Sequence, residues 1–207
     1  MRVRVIPVIL VAAIVLVAAS LVIGTLDRPE PPSFSPTPAA PREVGGDAAG
    51  PAVVTVDASD AGRWRFWDFS RASVVESPGP LEWDLAFRRN EIAVNGGAAF
   101  RGQGGARPEA APFDSLRVAP AGGYRTATAV RDSASPAFDD WYDYGFTTHL
   151  LTPRARTYAI RTADGKFAKL EILGYYCPGA RAGCLTFRYF YRGDGSRDLE
   201  SGRTSRL

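Results

Sequence analysis

Histidine is almost missing from this chain: His149 is the single one in 207 residues, and it is accompanied by only two cysteines and one methionine, Met1. A hydrolase built on a histidine base would have to use His149, and no Gly-x-Ser-x-Gly elbow marks a nucleophile for it. Glu82 and Asp84 form a carboxylate pair of the kind a glycosidase needs, but they fall on the solvent side of a strand pattern. A metal site needs more ligands than Cys177 and Cys184 supply, and no histidine is near them in sequence. The glycine stretch from Gly102 to Gly105 lacks the Gly-Lys-Ser/Thr ending of a phosphate loop and the spacing of a dinucleotide fingerprint. Asp139, Asp140 and Asp143 lack the alternation of an EF-hand loop and read as a solvated acidic turn. The chain is therefore expected not to be an enzyme. Its net charge of +3 includes Arg2 and Arg4, which leaves the remainder near balance and speaks against nucleic acid as a partner.

One long hydrophobic run is present. From Val5 to Leu26 no charged residue occurs, enough for about one bilayer crossing at a rise of about 1.5 Å per residue. Arg2 and Arg4 before it, with Asp27 and Glu30 after it, favour a cytoplasmic N-terminus. Residues 1–26 thus read as a membrane anchor or as a secretory signal with a small-residue site at Ala18-Ala19-Ser20; the run continues past that site. The expected location is the cell membrane, single-pass with the C-terminal domain extracytoplasmic, or secreted if the segment is cleaved. Residues 27–52 carry Pro29, Pro31, Pro32, Pro36, Pro38, Pro41 and Pro51 and read as a stiff solvated linker.

The sharpest pattern lies in residues 157–192. Tyr158 and Ile160 alternate with Ala159 and Arg161, and Asp164-Gly165 predicts a primed turn with positive φ at both central residues. Ala168, Leu170 and Ile172 then oppose Lys169 and Glu171, and Leu185, Phe187, Tyr189 and Tyr191 oppose Thr186, Arg188 and Arg192, with Phe190 an exception on the outer face. This is a three-stranded antiparallel meander with one apolar face. Cys177 and Cys184 flank its second turn and read as a disulfide in an oxidising compartment. Upstream, Val53 to Val56, Trp64 to Phe69, Ala72 to Glu76, Trp83 to Arg89 and Glu91 to Val94 read as strands, with Trp64, Phe66 and Phe69 competing for burial. Residues 107–136 are weakly patterned and predict an insertion or a ligand-facing loop. The fold class is all-β and mainly antiparallel, with a domain over 53–193 and a mobile tail over 194–207.

The order of these pieces resembles the HmuY family of secreted or membrane-tethered haem-binding proteins. The resemblance is carried by Thr55 to Ser59, Trp64 to Phe69, Trp83-Asp84-Leu85-Ala86-Phe87-Arg88-Arg89, Asn95-Gly96-Gly97, Gly102 to Ala106, and Arg161 through Leu170 to Tyr189. It covers roughly Val53 to Arg192. It implies an HmuY-like sheet domain and a role in capturing haem, or another small hydrophobic ligand, outside the cell for delivery to an uptake receptor. Studied members hold haem iron between two axial side chains from the segment between the glycine stretch and the Ala-Asp-Gly hairpin. This chain has His149 there, which the resemblance implies as the ligand to haem iron, with Tyr142 or Tyr144 as the second group. It lacks a second histidine, a methionine pair and the lipid-bearing cysteine of the family. A non-haem binding or interaction module on the same scaffold is the alternative reading. The cysteine pairing predicts an intact mass two hydrogens below the reduced value without reductant, and labelling of free thiols in the folded chain would refute it.

Overall fold

The computed structural model describes residues 5–26, 29–127 and 134–200, with the side chains of the N-terminal helix described for residues 7–20 and 22. That helix, α1, spans Val5–Leu26, at the residues expected. Among the described residues no helix is long and apolar enough to cross a membrane. The rest is β structure. A five-stranded antiparallel sheet has the order β1 (Ala48–Asp57), β11 (Arg181–Arg192), β10 (Phe167–Cys177), β9 (Thr157–Arg161), β6 (Gly105–Glu109). A four-stranded antiparallel sheet has the order β3 (Ser73–Val75), β2 (Arg65–Asp68), β4 (Leu85–Arg88), β5 (Glu91–Val94). A separate hairpin joins β7 (Tyr142–Tyr144) to β8 (Leu151–Pro153).

The alternation read in residues 157–192 sets the interior. Ala168, Leu170 and Ile172 of β10 and Leu185, Phe187, Tyr189 and Tyr191 of β11 are buried on one face, paired in register with Leu170 opposite both Tyr158 and Tyr189. The smaller sheet closes that face with Trp67, Phe69, Leu85, Phe87, Ile92 and Val94. Trp67 meets Phe187 and Tyr189 edge-on, each at a centroid distance of 5.4 Å. The competition for burial in the first aromatic strand is thus won by Trp67 and Phe69, while Trp64 and Phe66 fall on the opposite face and pack against Trp83. Cys177 and Cys184 form the expected disulfide across the β10–β11 turn.

Five expectations are corrected. The β9–β10 turn has positive φ at Gly165 alone, 83°, and is a three-residue loop in which the Thr162 hydroxyl donates to the Asp164 carboxylate over 2.6 Å. The side chain of Asp164 is committed there, so only the glycine takes the left-handed position. The outer face of the meander is covered. Residues 107–136, expected as an insertion or ligand-facing loop, supply Phe113, Leu116 and Ala119, which bury Ala159 and Phe190. Lys169, 1% exposed, donates from Nζ to the carbonyls of Phe113 and Leu116 at 2.9 Å each. A buried ammonium is tolerated because two carbonyls and the Phe113 ring, 4.7 Å away, replace its water.

The third correction concerns the C-terminal segment, expected as mobile from residue 194. Leu199 is fully buried, and its N–H donates to the Arg117 carbonyl over 2.8 Å. The fourth concerns residues 27–52, expected as a solvated linker. Phe34 N–H donates to the Tyr176 carbonyl at 2.8 Å, Thr37 N–H to that of Thr55 at 2.9 Å, and Arg42 N–H to that of Arg71 at 3.0 Å. The segment covers β1, an edge strand whose open backbone groups need partners. Residues 1–4, 27–28, 128–133 and 201–207, which include the end of the apolar piece Tyr124 to Val130 and the last part of the expected tail, lie outside the described residues.

Asp84, expected on the solvent side, is buried instead. Its carboxylate accepts from Phe69 N–H at 2.9 Å and from Ala163 N–H at 2.8 Å, tying the end of β2 to the β9–β10 turn of the other sheet. Burial, reinforced by the charge of Asp68, raises its pKa to about 7 against the pull of the two N–H donors. The native chain therefore keeps a proton that the unfolded chain releases near pH 4, so stability is lost as pH rises from about 4 through about 7. Urea unfolding should show a higher midpoint at pH 5 than at pH 7.5. In Asp84→Asn that difference should shrink, while an amide facing a backbone N–H lowers stability by about 1–3 kcal/mol; a variant with an unchanged pH dependence would refute the assignment.

Candidate functional site

β10 does not alternate to its end. The pairing shifts between Ile172 and Gly174 and again between Gly174 and Tyr176, so Leu173 turns outward while Tyr175 and Tyr176 are both buried. These two tyrosines support the β7–β8 hairpin. The Tyr176 hydroxyl accepts from Leu151 N–H at 2.8 Å, and Tyr175 meets Trp141 edge-on at 5.6 Å. Trp141 donates its ring N–H to the Asn90 carbonyl at 2.9 Å, fixing the base of the hairpin to the β4–β5 turn. Arg154 adds an ion pair with Asp143 at 2.6 Å, so the acidic turn is satisfied by arginine.

The hairpin, the β4–β5 turn and the β10–β11 turn enclose a cleft of about 420 Å³. That volume is within the range of about 300–1,000 Å³ typical of small-molecule sites. Its walls carry Tyr142, Tyr144 and His149, so the structure brings the three sequence-predicted residues to one place. Tyr144 and His149 are exposed at the mouth, and Tyr142 is half-buried. His149 N–H donates to the Gly145 carbonyl at 2.7 Å, and the residue has φ of 56°. Its Nδ1 is 2.5 Å from the Tyr144 hydroxyl. Two atoms that close leave no place for an iron between them, which needs roughly 4 Å, twice a metal–ligand bond of about 2 Å. The expected pairing of His149 with Tyr144 as the two iron ligands therefore does not fit this arrangement, and His149 is the one imidazole the cleft could offer a metal.

Reading the sequence did not find Arg89, Tyr175, Tyr176 or Ala180, which also line the cleft. Arg89 was expected in a strand but occupies the β4–β5 turn with φ of 54°. Tyr175 and Tyr176 fall where the alternation blurs, and that blur was the available signal. A second cleft of about 300 Å³, bounded by Pro29 to Pro32 and Leu173, shares Leu151, Tyr175 and Tyr176 with the first.

A sequence model of the HmuY protein matches residues 60–189, which span every residue of the cleft named above. The chain belongs to the HmuY family. Three solved structures share the HmuY-like fold. An apo HmuY analog from Tannerella forsythia is 14% identical with a TM-score of 0.54, over 73% of this chain and 99% of its own. A candidate HmuY-like heme-binding protein from Bacteroides vulgatus is 22% identical with a TM-score of 0.52, over 71% and 97%. A candidate lipoprotein from Bacteroides fragilis is 17% identical with a TM-score of 0.53, over 72% and 93%. A search of curated proteins finds no match. The HmuY match begins after β1 and leaves out α1 and the docked proline-rich segment.

Proposed function

We propose that this HmuY-family chain is a binding protein, not an enzyme, and that it takes haem in the cleft between the β7–β8 hairpin and the β4–β5 turn. The observation that carries the reading is the placement of the chain's one histidine on the wall of that cleft, among Tyr142, Tyr144, Tyr175 and Tyr176. His149 would hold the iron. An imidazole ligating through Nε2 carries its proton on Nδ1, where the Tyr144 oxygen is placed to accept it; Tyr144 thus orients the ligand. The tyrosine rings supply the flat apolar contact that a macrocycle needs. The close Tyr144–His149 contact also favours a second reading, a planar organic ligand bound without metal ligation, since the pair is already satisfied by its own hydrogen bond.

We further propose that α1 and the residues before it anchor the chain in the cell membrane, with the sheet domain outside the cytoplasm and able to hand its ligand to an uptake receptor. The support for the anchor is the sequence, in which residues 5–26 carry no charge, since the described side chains of α1, residues 7–20 and 22, are too few by themselves for a crossing; the Cys177–Cys184 bridge supports an oxidising compartment. Alkaline carbonate should leave the full-length chain in the membrane pellet, and protease added to intact spheroplasts should digest the domain. Recovery of a shortened soluble form would instead identify a cleaved signal.

Titrating hemin into the purified full chain should shift the Soret band, saturate at one equivalent, and lose the shift in His149→Ala. Tyr144→Phe should retain the band and weaken binding about 10- to 100-fold, the usual effect of removing a partner of a metal ligand. Spectra unchanged in His149→Ala would remove the histidine from the site. Absence of binding by the unaltered chain would leave the non-haem module.

A further inference from the structure

The charges around the cleft are distributed unevenly. Glu91 is paired with Arg88 at 2.5 Å, Asp143 with Arg154 at 2.6 Å, and Asp57 with Arg181 at 3.0 Å. Arg181 and its neighbour Ser59 together hold the Asp57 carboxyl down to about 2, although burial alone would raise it. These three acids thus each pair with an arginine other than Arg89. Among the described residues no aspartate or glutamate lines the cleft, and none pairs with Arg89, the fixed cation on its wall.

Arg89 is also held in place. Its N–H donates to the Ala58 carbonyl at 2.8 Å, and its φ of 54° sets the side chain apart from the strands on either side. Nη1 makes two long contacts, to the carbonyls of Ala182 at 3.3 Å and Ser59 at 3.4 Å. Nε and Nη2 make no hydrogen bond among the described residues. A half-buried guanidinium beside Tyr175 and Tyr142, with two of its three nitrogens making no hydrogen bond among the described residues, has the planar fork that matches a carboxylate. A left-handed backbone at a side chain of this size is a strain that clusters at ligand clamps.

We propose that Arg89 is a specificity-determining residue that anchors a carboxylate of the ligand, so that the cleft selects planar ring systems bearing acid side arms. This rests on the cleft being the ligand site and adds to it the class of ligand. Haem has two such arms; an esterified or uncharged ring of the same size has none.

Three probes added to the full chain separate the possibilities: hemin, hemin dimethyl ester, and metal-free protoporphyrin. Arg89→Gln should weaken hemin and protoporphyrin about 10- to 100-fold, the range of a lost charge-assisted hydrogen bond. The ester should bind the unaltered chain as weakly as hemin binds the variant, and the variant should not weaken it further. Arg89→Lys, which keeps the charge without the fork, should recover part of the affinity, and thermal unfolding of both variants should match the unaltered chain. Hemin binding that ignores both the variant and esterification would overturn the role of Arg89 and leave haem binding standing. An equal loss for acid and ester would overturn it as well, by showing a structural effect. Protoporphyrin binding that depends on Arg89, with no Soret response from hemin, would support the carboxylate anchor and refute His149 as an iron ligand. Failure of all three probes would refute both.

Discussion

The structure depends on an aromatic seam between two sheets. β11 contributes Phe187, Tyr189 and Tyr191, and the smaller sheet answers with Trp67, Phe69 and Phe87, all of them buried. Their rings meet at 5.4 to 6.2 Å in edge-on and tilted arrangements, with Phe69 stacked on Tyr191. Losing one such ring costs about 3–5 kcal/mol, a large share of the ~5–15 kcal/mol that holds an ordinary domain together. The cleft described above lies apart from these rings, where the sheets end.

It forms at the bulged end of β10. Two register shifts between Ile172 and Tyr176 let Tyr175 and Tyr176 both reach inward, one to Trp141 and one to the backbone of Leu151. The β7–β8 hairpin is thereby pinned at its base while its tip projects, with Phe146 87% exposed and Tyr144 at 49%. The tip is held by Gly145 N–H on the Leu150 carbonyl and His149 N–H on the Gly145 carbonyl, with little buried apolar surface. Local opening of such a segment costs far less than unfolding the sheets. The cleft thus has rigid walls on the sheet side and a yielding wall on the side that carries His149.

How much of this was legible depends on whether a residue's role follows from period. The meander, the disulfide and the four strands of the second sheet were readable because alternation and turn residues encode them directly. Lys169 was misjudged because its parity points outward, and only the return of Phe113 and Leu116 from a distant, weakly patterned segment makes that face an interior. Asp84 was misjudged for the same reason: its partners, Phe69 N–H and Ala163 N–H, lie 15 and 79 residues away. The glycines near Asn95 permit a close approach of two backbones, since a Cβ on Gly96 would sit 2.0 Å from the Gly104 carbonyl oxygen. His149, Tyr142 and Tyr144 could be nominated by residue type. Arg89 could not, because what sets it apart is its backbone geometry and the lack of an acidic partner among the described residues.

That geometry is unevenly distributed. Four described non-glycine residues have positive φ, and three of them, Arg89, His149 and Ala180, line the cleft. A side chain in this region costs on the order of 1–2 kcal/mol relative to glycine. For Ala180 the turn bracketed by the disulfide imposes the conformation, with Gly179 beside it at φ of 73°. For Arg89 and His149 a glycine would relieve the backbone at no cost to the core, since neither side chain belongs to it. A fold shaped by stability alone would use glycine at both positions. Keeping an imidazole and a guanidinium there favours a role carried by the side chains themselves, both on the wall of one cleft.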